Sequence, residues 1–194
     1  MKTTFVAAAL VILASTVSWG LGLKVQAPEL HPGDTWTLTS WTEQFAGKEG
    51  QYLVFNVPGT TIKRYRTLEL NHVKDVRDGV EINKTEPHTG LLSFPLFVGK
   101  TWQGSYTNDI LSGDVERDTS FMVVAYETVG TPAGSFQAFK IIGLDQRTDR
   151  PYGLEVTFWY APEAKAIVKL SCVDTYDYEK IWDFELLKYQ LQEQ

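Results

Sequence analysis

From Thr35 onward, apolar and polar residues alternate in short blocks separated by glycine, proline and aspartate, which is the signature of strands joined by tight turns. The clearest pair runs from Ser120 to Leu144, two β-branched and aromatic arms around Gly130-Thr131-Pro132-Ala133-Gly134, and predicts an antiparallel hairpin. In its first arm Phe121, Val123 and Ala125 share one face while Met122, Val124 and Tyr126 share the other, so the hairpin is expected to be central and covered on both sides. Upstream, the pattern predicts strands over Thr35 to Gln44, Tyr52 to Val57 and a long run from Ile62 to Val76. Asp78-Gly79 is a two-residue hairpin signal leading into Val80 to Asn83. Residues Glu86 to Gly99 read as a longer loop whose apolar side chains pack inward. A strand over Lys100 to Asn108 and a polar turn region from Asp109 to Asp118 follow.

After the hairpin come a charged connection, Asp145 to Gly153, a strand from Leu154 to Ala161, a turn at Pro162 to Lys165 and a strand from Ala166 to Val173. The last strand starts near Ile181. Trp182, Phe184 and Leu186 alternate, then Leu187, Tyr189 and Leu191 alternate one residue out of step, which marks a bulge or strong bend. Little helix is expected, and eight to ten strands imply an all-β fold. The expected architecture is a single strongly curved antiparallel sheet, a half-barrel or open barrel, with a two-sheet β-sandwich as the alternative. Gly33-Asp-Thr-Trp36 is echoed by Gly99-Lys-Thr-Trp102, a match that the same turn chemistry used twice accounts for without duplication.

The N-terminus follows a different pattern. Met1-Lys2 carries one positive charge, Phe5 to Val17 is an apolar stretch too short to span a bilayer comfortably, and Ser18 and Gly20 are small residues where a signal peptidase reads them. Residues 1–20 are therefore expected to be a signal peptide and residues 21–194 a single β-domain of 174 residues, located in the periplasm or secreted, with no stable membrane span after cleavage. Cleavage removes one lysine and leaves 17 basic against 24 acidic side chains, a net charge of −7 with histidines neutral. Such a surface repels phosphate backbones, so no nucleic acid is expected as a partner. The local exception, Lys63-Arg64-Tyr65-Arg66, places both arginines on one strand face and is read as exposed strand charge. Cys172 is the only cysteine, so the fold has no internal disulfide, and its parity with Val168 and Leu170 marks it as a buried, inert thiol.

The order of several motifs resembles an uncharacterised family of bacterial exported β-proteins, a domain of unknown function. These motifs are Pro95-Leu96-x-x-Gly99-Lys100-x-Trp102, then Glu127-x-Val129-x-x-Pro132-Ala133-Gly134-x-Phe136-x-Ala138-x-Lys140-Ile141, then Trp159-Tyr160-Ala161-Pro162 and Val168-Lys169. The resemblance spans about Gly33 to Tyr189 and implies a curved sheet like lipoprotein-carrier and lipocalin-like half-barrels in shape; it implies no reaction. The chain departs from the family pattern at Glu163 to Ala166, which replaces a glycine-containing turn.

No serine-nucleophile elbow, phosphate-binding glycine loop, zinc helix, paired-cysteine site or calcium-binding helix-loop-helix occurs in the sequence, and no cofactor or metal is expected. His31, His72 and His88 are widely separated, and Asp174, Asp177 and Glu179 lack the spacing of a calcium loop. Two carboxylates across a cleft could still hydrolyse a substrate, so Glu127, Glu155, Asp183 and Glu185, all within predicted strands, are weighed. Parity sets Glu127 with Phe121 and Val123 and Asp183 with Ile181, which would place either in an interior cavity. The competing reading of Glu127 is that it fixes the Val129 to Gly134 turn through backbone hydrogen bonds.

Aromatic residues, 13% of the chain, are the more suggestive feature. Their default use is a filled interior; alternatively Trp36, Trp41, Trp102, Trp159, Trp182 and several Phe and Tyr residues line a concave apolar cleft, with Trp102, Phe158 and Phe184 as its site residues, or aromatics form an exposed platform for sugars. The function read from the sequence is a non-catalytic exported β-protein that binds an apolar small molecule or an envelope protein on its concave face. The alternatives are a hydrolase using Glu127 and a second interior carboxylate, and a structural component of an envelope assembly. Export generates the first prediction: N-terminal sequencing of the protein recovered from cell fractions will give a start near Leu21, outside the cytoplasm, and a cytoplasmic protein retaining Met1 overturns it.

Overall fold

Tight turns and long hairpins set the topology. The computed structural model describes residues 22–110 and 113–193; the leader expected over residues 1–20 lies outside the described residues. Twelve strands follow in order: β1 (Thr35–Leu38), β2 (Thr42–Glu49), β3 (Tyr52–Asn56), β4 (Ile62–Arg66), β5 (His72–Arg77), β6 (Val80–Glu86), β7 (Thr101–Ile110), β8 (Gly113–Thr131), β9 (Gly134–Arg147), β10 (Gly153–Ala161), β11 (Ala166–Asp174) and β12 (Lys180–Gln190). Each pairs antiparallel with its sequence neighbours, and β1 also pairs with β12, so the single curved sheet closes into a ring. A sandwich of two separate sheets is set aside. Among the described residues there is no helix long and apolar enough to cross a membrane.

Two runs that alternation alone reads as single strands are hairpins. The stretch from Thr35 to Gln44 turns at residues 39–41, and the run from Ile62 to Val76 turns at residues 67–71. There the Thr67 hydroxyl accepts hydrogen bonds from the backbone N–H groups of Glu69 and Asn71, and Leu70 takes a left-handed conformation with φ 68°. Asp78 and Gly79, with φ 51° and 81°, make the expected two-residue turn. The polar stretch around Asp109 to Asp118 belongs almost wholly to β7 and β8. Leu187 is the extra residue of the last strand: Thr37 pairs with Lys188 and Leu38 with Leu186, so Leu186 is buried and Leu187 exposed.

The β8–β9 hairpin lies within the sheet, but only one of its faces is covered along its middle. Phe121 and Val123 are buried, whereas Met122, Ile142 and Leu144 are exposed on the outer face. Its distal end bends across the end of the ring, where the Ala133 N–H donates to Leu186 O at 3.1 Å and the Phe136 ring lies 5.7 Å from Tyr189. The loop between β6 and β7 packs inward as expected, burying Leu92 and Leu96, and Leu96 pairs with Val25.

Cross-strand pairing orders the interior into rows. One row is Val123, Ile141, Phe158, Leu170 and Phe184; the next is Trp102, Phe121, Gly143, Val156, Cys172 and Trp182. At Gly143 the Phe121 ring occupies the space a Cβ would need, with the Ser120 carbonyl also against it. Gly143 must therefore remain glycine for the ring to lie flat on the sheet. Replacing it, as Gly143→Ala, is expected to lower unfolding stability by about 3 kcal/mol, the upper end of the cost of overpacking, measured by urea denaturation with an unchanged slope; a variant as stable as the parent would refute this packing.

Candidate functional site

The inner faces of the two halves differ in composition. On β8 to β12 these two rows are apolar, but on β2 to β6 the corresponding row runs Phe45, Phe55, Arg64, Asp75 and Asn83. Arg64 and Arg66 do share a face, as alternation requires, but that face is the inside of the ring. The expectation of exposed strand charge is overturned, because their side chains are only 19% and 18% exposed and meet buried partners.

Those partners form one network. Arg66 donates from Nη1 and Nη2 to the two carboxylate oxygens of Glu43, each at 2.8 Å. Arg64 donates from Nη1 to Glu43 Oε2 at 3.3 Å, and from Nε and Nη2 to the Asp75 oxygens at 3.0 and 3.3 Å. His72 lies 3.3 Å from Asp75 Oδ1 through Nε2 and 3.1 Å from Thr85 Oγ1 through Nδ1. The Trp41 indole N–H completes the set by donating to Glu43. The guanidinium groups also lie over rings, Arg64 over Trp41 at 5.5 Å and Arg66 over Phe55 at 4.7 Å.

The electrostatics follow from this geometry. Burial alone would push the Glu43 carboxyl up, but the charges of Arg66 and Arg64 and the hydrogen bonds from Arg66 and Trp41 hold it below the usual carboxylate range. Asp75 has the same balance: burial raises it, while hydrogen bonds from His72 and Arg64 and the Arg64 charge bring it down to about 2.

Against this polar wall lies a cavity of about 360 Å³. Its apolar side is built by Trp36, Leu38, Trp41, Leu92, Trp182 and Phe184. Trp182 is 44% exposed and stacks against Trp41 with ring centres 6.1 Å apart, so this pair sits at the solvent edge. Phe184 packs edge-on against Trp41 at 5.1 Å just below.

Of the three aromatic residues expected as site residues of a cleft, Phe184 lines the cavity. Phe158 is fully buried in the apolar half against Phe121, and Trp102 is half-buried against Phe121 with its indole N–H donating to Gly90 O at 2.9 Å. Trp36, Trp41 and Trp182, also among the aromatic candidates, line the cavity too, whereas the sequence does not single out Glu43, Arg64, Arg66 and Asp75 as lining residues. A signal was present, since Glu43 shares strand parity with Trp41 and Phe45 and so stands on an otherwise aromatic face.

Glu127 does not share a face with Phe121 and Val123. Val123 pairs with Ile141 but Ala125 pairs with Lys140, so an extra residue shifts β8 by one and turns Glu127 outward. There its carboxylate accepts from Trp159 Nε1 at 2.9 Å and lies 3.8 Å from Lys140, rather than from the Val129 to Gly134 turn. Asp183 is half-exposed and pairs with Lys180, so the expectation of an interior carboxylate there is also overturned; Glu185 pairs with Lys169, and Glu155 is exposed. Of the buried carboxylates, Glu43 and Asp75 line the cavity.

The three histidines occupy separate places: His31 before β1, His72 in the network, and His88 in the β6–β7 loop, where its Nδ1 accepts from Gly90 N. Among the described residues no group of three or more histidine, cysteine or acidic side chains is placed to hold a metal. Asp174 and Asp177 accept turn N–H groups from Tyr176 and Glu179. Burial pushes the Cys172 thiol up to about 11, the condition of an unreactive cysteine. Thr85, His72 and Asp75 form a hydroxyl–imidazole–carboxylate chain, but Thr85 is buried and does not line the cavity, so its hydroxyl is not offered to a molecule held there.

No family model and no curated protein matches the chain. Among solved structures the chain is similar to a crystal structure from Parabacteroides distasonis ATCC 8503, described as a "putative lipoprotein", with 10% identity and a TM-score of 0.47 over 86% of this chain and 99% of that one.

The network makes stability depend on pH. Because the Asp75 value is about 2 in the folded protein and 3.8 in its absence, its contribution is fully present above about pH 4 and is lost as pH falls through about 2. Denaturant titrations from pH 5 to pH 2 are expected to show the parent losing about 1 kcal/mol more than Asp75→Asn over this window, a figure already reduced for solvent screening. Parallel pH profiles for the two proteins would refute the assignment.

Proposed function

We propose that the protein is an exported, non-catalytic β-barrel that binds one small apolar or amphipathic molecule in the cavity between its aromatic and ionic walls. The observation that carries this reading is the cavity itself, at the lower end of the roughly 300–1,000 Å³ range of small-molecule sites. Its aromatic wall supplies contact area, and its polar wall is fixed in place before any ligand arrives. The volume suits one compact molecule and excludes a two-chain lipid. Export rests on the charged start, the apolar run and the small residues Ser18 and Gly20.

The hydrolase reading requires a carboxyl group that keeps its proton near neutral pH and a second one across the same pocket. Glu43 and Asp75 both line the cavity, but their arginine partners hold both below the ordinary range. Both are carboxylates at neutral pH, so neither serves as the acid.

Mass spectrometry of the natively purified protein is expected to detect a bound small molecule released on unfolding. Phe184→Ala and Trp182→Ala are expected to weaken its retention about tenfold or more, in line with the loss of a large aromatic contact, while Glu127→Gln leaves it unchanged. A ligand-free protein whose tryptophan fluorescence responds to no apolar probe would overturn the binding reading and favour a structural role in the envelope.

A further inference from the structure

The charged groups lining the cavity are Glu43, Arg64, Arg66, His72, Asp75 and Lys165. The two arginines are matched by two carboxylates through the bonds described above, and His72 is held between Asp75 and Thr85. Lys165 lies 3.9 Å from the fully buried Asp34 and donates to Glu29 O at 2.6 Å. Glu43 and Asp75 balance Arg64 and Arg66, and Asp34 balances Lys165, so these charges of the wall sum to zero. A ligand that brings an ionised group into this space finds every counter-charge already engaged, and it loses its hydration without gaining an unmatched opposite charge.

Neutral polar groups meet the opposite situation. Thr89 lines the cavity, and its hydroxyl oxygen is buried without a hydrogen-bond partner. A buried hydroxyl left unpaired is costly, so a ligand oxygen placed against it is favoured. Arg66 spends one N–H of each terminal nitrogen on Glu43, and a guanidinium carries further N–H groups that a neutral oxygen accepts from without adding charge.

On this basis, and resting on the binding reading above, we infer that the cavity selects an uncharged apolar molecule bearing a hydroxyl or carbonyl oxygen, placed against Thr89, and discriminates against the ionised carboxylate of the same chain length. The specificity comes from a wall that is polar but already neutralised. An unpaired arginine at the same position would select the opposite ligand.

The test uses the full mature chain, cleared of any co-purified molecule, titrated with 1-decanol and with decanoate at about pH 8, where the acid is ionised, and followed by tryptophan fluorescence. 1-Decanol is expected to bind about tenfold more tightly or better, reflecting the cost of an unpaired buried charge. Thr89→Val, which keeps the side-chain shape and removes the hydroxyl, is expected to weaken 1-decanol about threefold or more and to leave decanoate unchanged. Glu43→Gln removes one negative charge from the wall and is expected to narrow the preference; if that variant does not fold, the parent ratio and Thr89→Val still decide. Decanoate binding as tightly as 1-decanol overturns this inference and leaves the binding function standing. Binding of neither probe, with no molecule found in the native protein, overturns both.

Discussion

The circumference of the ring is the constraint from which the rest follows. A closed sheet of about eight strands is just wide enough for its own side chains to fill, and width grows with strand number. This ring has twelve strands and closes through the pairing of β1 with both β2 and β12. Closure removes the unpaired edges that would otherwise template association, but it encloses more space than inward side chains reach across. The protein fills part of that space with chain: the β6–β7 loop enters with Leu92 and Leu96, and the end of the β8–β9 hairpin bends over to β12. Large rings fill another part, with Phe121 lying on Gly143 and against both Trp102 and Phe158. What remains is bounded by the arginine–carboxylate network and forms the cavity.

Charged side chains suit that boundary for a physical reason. Apolar side chains facing a void lose dispersion contacts and collapse inward if the backbone allows it. An arginine held by two carboxylates is rigid, keeps its position without a packing partner on its far side, and rests its planar group on an aromatic ring, as Arg64 does on Trp41. The arrangement has a cost in desolvation, so it adds little net stability relative to a packed apolar wall. Its benefit is shape. Removing one member leaves a buried charge unmatched, so the network is kept or lost as a unit. With Cys172 alone and buried, no disulfide holds the ring, and hydrogen-bonded closure and packing maintain it.

Much of this was legible in the sequence, and the failures have common causes. The Ser120 to Leu144 hairpin, the Asp78-Gly79 turn, the inward loop and the Leu187 bulge each left a local mark: turn residues, a run of apolar positions in a loop, or a break in alternation. The turns at residues 39–41 and 67–71 contain neither glycine nor proline, so alternation appeared to continue through them. The β8 bulge leaves apolar residues on both sides and no break in pattern, so alternation carries Glu127 to the wrong face. Parity states which residues share a face; it does not state which face is inside. Alternation groups Arg64 and Arg66 on one face, charged strand residues point outward by default, and only the ring shows Glu43 and Asp75 opposite them on the inside.

The short echo between Gly33 to Trp36 and Gly99 to Trp102 shows how the two halves come to differ. Both glycines are left-handed, with φ 101° and 91°, each opens a strand, and β1 and β7 stand six strands apart in a ring of twelve. In both copies the indole N–H donates to a backbone carbonyl, Ala164 O for Trp36 and Gly90 O for Trp102. The divergence lies in the residue after the glycine. Asp34 is buried, caps the His31 and Gln192 backbone, and faces Lys165 at the cavity wall. Lys100 instead donates to the carbonyls of Ser93 and Pro95 and ties down the loop that fills the other half. One turn chemistry thus serves opposite ends: in one half it neutralises a charge beside open space, and in the other it fastens the segment that removes the space. The cavity lies on the side where the turn supplies a buried carboxylate to Lys165.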